Sequence, residues 1–338
     1  MEIFHNHSLR ELNTFGVNVK ADYLVEIKSE KNLTDIISNK KFKWLDKLIL
    51  GGGSNILFTK NYGGLVLKNE IKGITVVEES EKDVLIKAGS GVEWDSLVNH
   101  CVEKNYYGIE NLSGIPGTVG AAPVQNIGAY GVEIKDVLHS VEGMFLADGE
   151  KQIFTLEDCE FSYRNSIFKK MLKGSFFITK VIIKLSKQPD INLDYNALRI
   201  EVEKLNKKNL TAKNIRDTVL AIRNSKLPDT SVLGNAGSFF KNPELRRVEF
   251  EQLQKDHPGI VHFKGEGKRI KLSAAWLIEQ CGWKGTKFGN TGTYEKQPLV
   301  IVNYNKATGR EIDNFARMIQ DTVFEKFKIR LVPEVNII

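Results

Sequence analysis

Leu112-Ser-Gly-Ile-Pro-Gly-Thr-Val-Gly-Ala-Ala-Pro-Val-Gln-Asn-Ile-Gly-Ala-Tyr-Gly131 is the stretch on which the reading of this chain turns. It is too long for a hairpin connection and too free of charge for a solvated linker. Loops above roughly 12–15 residues are functional or disordered as a rule. The small, apolar and amide-bearing residues here are unlike a disordered tract. A buried ligand cradle is the favoured reading over a structural meander. Gly117, Gly120 and Ala121 are expected to present backbone amides, and Gln125 and Asn126 to add side-chain hydrogen bonds. No lysine or arginine falls within the segment, so a pyrophosphate held by backbone N–H groups fits better than an ion pair. The uncharged run extends over 111–132, whose 22 residues could span a bilayer by length. Five glycines and two prolines in that run would not hold a lipid-facing helix, so membrane insertion is not expected.

Outward from this segment, 16 of the 28 glycines fall between Gly51 and Gly149, which marks loops built around something. Leu48-Ile-Leu-Gly-Gly-Gly-Ser-Asn-Ile-Leu-Phe58 is a strand, a glycine turn and a second apolar run. Its consecutive amides can form an anion-binding concavity, although a tight structural turn is an equal reading. Neither GxGxxG nor GxxxxGK[ST] occurs. Short apolar runs at 47–50, 64–67, 74–77, 84–88, 137–145 and 176–185 read as strands. Trp94, Leu97, Val98, Cys101 and Val102 follow helical spacing, as do Ile215, Val219 and Ile222 before Pro228. Further helices are expected at about 243–256, 272–280 and 308–328, with strands at 299–303 and 330–338. The polar, lysine-rich stretch 190–213 reads as an excursion from a second domain. The first two thirds are an α+β arrangement without regular βαβ alternation.

A chain of 338 residues implies two or three domains, with a boundary near residue 215. Hydrophobic residues at 41% and charged residues at 27% describe an ordinary globular protein and exclude disorder. The net charge of +6 suits anionic small molecules, and its scattered basic residues lack the dense stripe of a nucleic-acid binder. Three separated cysteines without CxxC argue against a disulfide framework and for a reducing compartment. His5 and His7 have no second ligand cluster, so no metal site is expected. The opening 1–13 lacks the order of a signal peptide, and a cytoplasmic location is expected.

Three further segments carry candidate chemistry. Phe161–Phe168 sets Arg164 among apolar and hydroxyl neighbours, where it grips an anion, lies on a planar ring, or caps backbone carbonyls. Gly234–Pro243 is a glycine-flanked turn bearing Ser238, Lys241 and Asn242, without a GxSxG elbow. Upstream, Arg223 and Lys226 supply positive charge to a diphosphate or simply end a helix. Glu334 sits inside the apolar run 331–338, facing solvent or held in a site.

In order along nearly the whole chain, NTFGV (13–17), LGGGSNILF (50–58), IPGTVGAAPVQNIGAYG (115–131), YRNSIFK (163–169), GNAGSFFKNP (234–243), WLIEQ (276–280) and PEV (333–335) closely resemble the UDP-N-acetylenolpyruvoylglucosamine reductases, the MurB family. Leu193-Asp-Tyr-Asn-Ala-Leu198 matches the tyrosine loop of the type I members. The resemblance implies a three-domain α+β fold with a vanillyl-alcohol-oxidase-type FAD domain and a separate C-terminal substrate domain. Its parts would be 1–68 joined by 330–338, then 69–214, then 215–329. It implies FAD as cofactor, NADPH as co-substrate, a sugar nucleotide as substrate, and a monomer acting in peptidoglycan precursor synthesis. FAD contacts are implied for Gly51, Gly52, Gly53, Ser54, Asn55, Ile115, Pro116, Gly117, Gly120, Ala121, Gln125, Asn126 and Gly128. By similarity Arg164 and Glu334 flank the substrate carboxylate, with Glu334 protonated or sharing a proton, and Ser238 protonates C2 as general acid. Tyr195, Lys226 and Asn242 match substrate and nicotinamide contacts. Ala275 and Phe263 depart from residues common in the family, a glycine and a tyrosine. The rivals are an FAD oxidase using oxygen and an alcohol, a non-catalytic nucleotide-binding module, and, on charge alone, an RNA-binding protein.

Overall fold

A computed structural model describes residues 1–304 and 306–338. The chain forms two compact units: Met1–His7, Ala21–Gly52 and Gly63–Ser225 make the first, and Ser8–Lys20, Gly53–Tyr62 and Lys226–Ile338 the second.

The first unit holds two sheets. A four-stranded sheet runs in the order Ile3–Ser8, Lys20–Ile27, Tyr62–Asn69, Lys47–Leu50, and its last pair is parallel with Leu50 opposite Lys68. Val25, Ile27, Leu65 and Leu67 bury one face of it against Leu33 and Ile36. Those two residues lie three apart on the helix Glu30–Ile37, which Ser29 caps by accepting the Asn32 N–H. A five-stranded antiparallel sheet follows, ordered Lys151–Thr155, Leu138–Phe145, Phe176–Ser186, Asp83–Gly89, Ile74–Glu79. Alternation at Val84, Ile86 and Ala88 turns one face inward, as period two requires. Trp94, Leu97, Val98, Cys101 and Val102 of the helix Trp94–Glu103 pack into the same core. Trp94 spends its indole N–H on the Leu112 carbonyl at 2.9 Å, tying that helix to the start of the long glycine segment. The lysine-rich stretch 190–213 belongs to this unit. Leu198 and Val202 on the helix Asn196–Glu203 share a small core with Ile215, Val219 and Ile222 on the helix Ala212–Lys226.

The second unit carries an antiparallel sheet ordered Gly234–Ser238, Gln297–Asn303, Thr291–Tyr294, Lys287–Phe288 and a three-stranded sheet ordered Glu244–Arg246, Arg269–Leu272, His262–Lys264. The helix Gly309–Phe327 opens with a Thr308/Glu311 capping box and buries Ile312, Phe315, Ile319 and Val323 on one side. Two expectations need correction here. The helix predicted from 243 begins only at Arg247, because Glu244–Arg246 pair with Arg269–Lys271 and Arg246 N–H then bonds the Glu249 carboxylate at 2.9 Å. The strand predicted over 330–338 is regular only at Asn336–Ile337, which pairs in parallel with Ile56–Leu57. Pro333 has no N–H to give a ladder, and it makes a lone bridge with Phe240. Among the described residues no helix is long and apolar enough to cross a membrane.

Candidate active site

In the first unit the two glycine segments meet backbone to backbone. A Cβ added to Gly51 would lie 2.6 Å from Thr118 Oγ1, and one added to Gly52 would lie 2.9 Å from Gly117 Cα. Gly120 in turn approaches Ser90, where an added Cβ would stand 2.6 Å from its Cβ. At Gly52 main chain lies where a side chain would go, while Gly51 and Gly120 make room for the side chains of Thr118 and Ser90. The structure also sorts the amides. Gly120 N–H donates to Ser90 O at 2.8 Å and Ala121 N–H to Thr118 O at 2.9 Å, so both are spent inside the protein. They are not the free donors expected of them. The N–H groups of Gly51, Gly52 and Gly117 have no hydrogen-bond acceptor among the described residues. Ile115 is half-buried against the core, Pro116 is exposed and Gln125 is half-buried.

Asn126 also differs from expectation. It is fully buried with φ of 44°, and its amide donates to the Glu133 carboxylate at 2.9 Å and to Ser162 O at 3.3 Å. Its Oδ1 accepts the Lys135 N–H at 3.3 Å, so the side chain braces the turn instead of facing a ligand.

Arg164 sits in a tight turn closed by reciprocal Ser162 and Asn165 backbone bonds of 3.1 and 3.0 Å, with φ of 53°. Its Nη2 donates to Gly128 O at 2.7 Å and its Nη1 to Asn126 O at 3.4 Å. A Cβ on Gly128 would reach to 3.0 Å from Nη1, so that glycine admits the guanidinium. The guanidinium thus caps two backbone carbonyls and lies 5.7 Å from the centre of the Tyr163 ring, which fixes the cation to the rim of the glycine segment. Tyr195 stands just before the helix Asn196–Glu203, 42% exposed, its ring edge-on to Tyr130 with centroids 5.3 Å apart.

An ion pair that periodicity and motif reading did not reveal supports the entry to this segment. Arg216 grips Asp95 bidentately at 2.6 and 2.7 Å, and the same carboxylate accepts the Gly114 N–H at 2.6 Å. Burial alone would raise the Asp95 carboxyl, but Arg216 and Gly114 outweigh it and hold it below its ordinary range. Arg223 lies against Gly114 and hydrogen-bonds Tyr130. The only sequence signal for this support was an acid in the first turn of one helix and an arginine on another.

In the second unit Ser238 ends the strand Gly234–Ser238 opposite Val300 and is exposed, beside Gly237 with φ of 67°. Phe239 and Phe240, which follow it, are fully buried and anchor the turn. Glu334 donates its N–H to Phe239 O at 2.7 Å, so the segment that carries the carboxylate is tied to the residue that follows Ser238. Asn55 joins them: its Nδ2 donates to Glu334 O at 3.3 Å, and its carbonyl accepts the Asn336 N–H at 3.1 Å. Gly53 has φ of 65° and lies on the Leu12 carbonyl, where a side chain would overlap it; Ser54 follows, half-buried. Asn242 spends its Oδ1 on the Ala274 N–H at 2.9 Å, capping the helix Ala274–Gln280. Only its amide nitrogen is left to face a ligand. Lys226 and Phe263 are exposed, and Glu334 and Ala275 are half-buried.

Comparison with known proteins gives a consistent answer. Residues 228–338 match the C-terminal domain of UDP-N-acetylenolpyruvoylglucosamine reductase, and residues 21–154 match an FAD binding domain. The UDP-N-acetylenolpyruvoylglucosamine reductase of Amoebophilus asiaticus is 47% identical over 339 residues, covering all of both chains. That of Flavobacterium johnsoniae is 44% identical, again over the whole of both. The crystal structure of MurB from Thermus caldophilus shares the α+β fold, with a TM-score of 0.69 at 22% identity over 99% of this chain and 98% of that one. With such identity to full-length relatives, the chain belongs to the UDP-N-acetylenolpyruvoylglucosamine reductase family.

Proposed function

We propose that Arg164, Ser238 and Glu334 are the residues with which this chain performs the reduction characteristic of its family. The chain is an FAD-dependent oxidoreductase that uses NADPH to convert UDP-N-acetylglucosamine enolpyruvate to UDP-N-acetylmuramate, a precursor of peptidoglycan. The observation that carries the assignment of the cofactor site is the meeting of the Gly51–Gly52 turn with Gly117–Thr118, where three amides are unspent. A dinucleotide's diphosphate needs N–H donors with no side chain in the way, and this surface fits it. Gly51–Asn55 and Ile115–Gly117 would hold FAD, with Gly120, Ala121, Gln125, Asn126 and Gly128 shaping the wall. When bound, FAD supplies a two-electron carrier that accepts hydride from NADPH and releases it to the enolpyruvyl carbon.

The protein's own groups then have separate tasks. Arg164, fixed by the Gly128 carbonyl, orients the substrate carboxylate and offsets the charge that grows there as the adjacent carbon gains density. Glu334 flanks the same carboxylate. Ser238 Oγ delivers the proton to C2; a hydroxyl is a weak acid, but a carbanionic centre at hydrogen-bond distance is a strong base. Tyr195 folds over the sugar nucleotide, and Lys226 and Asn242 contact substrate or nicotinamide. The functional division follows 1–68 with 330–338 and 69–214 around FAD, and 215–329 around substrate. The enzyme works as a cytoplasmic monomer, without nucleic acid or membrane insertion.

Anaerobic rapid mixing tests the roles. Ser238→Ala should reduce its flavin with NADPH within about threefold of wild type, and lose roughly 10²–10⁴-fold in flavin reoxidation by the enolpyruvyl nucleotide. Equal losses in both half-reactions would overturn the assignment.

A further inference from the structure

We propose that Lys68, held by Glu70, acts through the Gly51–Gly52 peptide to make the first glycine turn a diphosphate site. The inference rests on the reading of that turn as part of the FAD site. Neither glycine segment contains a cation, yet the structure brings one in from the neighbouring strand. Lys68 stands opposite Leu50 in the parallel ladder, so its side chain runs beside the residue that leads into Gly51. Its Nζ donates to Gly51 O at 2.8 Å and is paired with the Glu70 carboxylate at 2.9 Å, with the side chain only 14% exposed. The other oxygen of Glu70 takes Lys72 Nζ at 2.8 Å, and Lys72 donates in turn to Gly91 O at 2.5 Å. Two lysines and one carboxylate leave a net positive charge, clamped to the carbonyls of two glycine turns.

In a trans peptide the carbonyl and the following N–H point in opposite directions. An ammonium on Gly51 O therefore draws electron density away from the Gly52 N–H on the far side and makes it a stronger donor, the cooperative effect seen in hydrogen-bond chains. Gly52 is exposed, lacks a side chain, and offers that N–H to no acceptor among the described residues. The second arm of the clamp supports the opposing wall, since Gly91 follows Ser90, whose carbonyl accepts the Gly120 N–H at 2.8 Å. Burial would raise the Glu70 carboxyl, but hydrogen bonds from Lys72 and Lys68 outweigh it and hold it below its ordinary value, so the anion keeps both lysines in place. Lys68 is thus a positioning residue and never touches the substrate.

FAD titration of the apoprotein, followed by flavin fluorescence, provides the test. Lys68→Met should raise the FAD Kd about tenfold or more, the scale of a lost charge-assisted hydrogen bond. Lys68→Arg should stay within about threefold of wild type. Wild-type affinity should fall between about 50 and about 500 mM salt, more steeply than that of Lys68→Met. A Lys68→Met Kd within twofold of wild type, or a wild-type Kd indifferent to salt, would overturn the proposal. Should Lys68→Met not fold, the wild-type salt dependence and the retained affinity of Lys68→Arg decide it. Wild-type protein that binds no FAD would instead refute the functional reading itself.

Discussion

Gly52→Ala probes the contact from which the cofactor site was inferred. The new methyl would lie 2.9 Å from Gly117 Cα and 3.4 Å from its carbonyl carbon, with backbone on both sides. The φ of Gly52 is outside the left-handed region, so alanine has no conformational objection and the cost is purely steric. Relief requires one turn to move away from the other, which overpacking data place at about 1–3 kcal/mol. Against this, any Gly→Ala change restricts the unfolded chain and stabilises by about 0.4–1 kcal/mol. Gly63→Ala isolates the two: Gly63 lies in the same unit, is exposed, and has nothing nearer than a flexible Asp22 carboxylate at 3.8 Å. The unfolded-state gain is common to both variants, so their difference is the steric term, about 1–3 kcal/mol. Urea unfolding of the apoproteins should show it as a lower midpoint for Gly52→Ala at unchanged slope. FAD affinity should fall in Gly52→Ala and not in Gly63→Ala. Equal midpoints together with wild-type FAD affinity would show that the two turns do not touch in solution, and the reasoning would fail.

Three further outcomes rest on individual side-chain contacts. Asp95→Ala removes both Arg216 bonds and the Gly114 anchor, and should cost about 1.5–3 kcal/mol in urea unfolding; an unchanged midpoint would mean the pair is idle. Hydrogen bonds from Lys151 and Lys180 lower the Glu30 carboxyl from its ordinary 4.5 to about 2. Because the folded value is the depressed one, this stabilisation is complete above pH 4.5 and is lost as pH falls toward 2; Glu30→Gln should flatten the stability profile in that window. Thr308→Ala breaks the capping box of the longest helix and should destabilise by about 1 kcal/mol, read as a lower unfolding midpoint.

Much of the architecture was legible from local pattern. Val84, Ile86 and Ala88 announce a strand by alternation, and Ile312, Phe315, Ile319 and Val323 a helix by their spacing, because backbone geometry alone converts period into a buried face. The glycines at 51, 52 and 117 likewise signalled a place where chain must pass close to chain. Pattern failed where a partner far along the chain decided the outcome. Glu244–Arg246 looks helical until Arg269–Lys271 offers it a ladder, and the last residues read as one strand although Pro333 interrupts it.

The same division separates the elements of the site. Sequence alone determined the family, the candidate residues and the need for small residues at the turns, since each depends on the identity of a residue and its immediate neighbours. Tertiary structure alone decided which of those groups are available. Gly120 and Ala121 spend their amides on Ser90 and Thr118, Asn126 turns to Glu133, Arg164 reaches back to Gly128, Glu334 pairs beside Ser238, and Lys68 comes to the Gly51 carbonyl from the next strand. A hydrogen bond is directional and is satisfied by whichever acceptor packing brings within about 3 Å, and no periodicity in the chain encodes that partner.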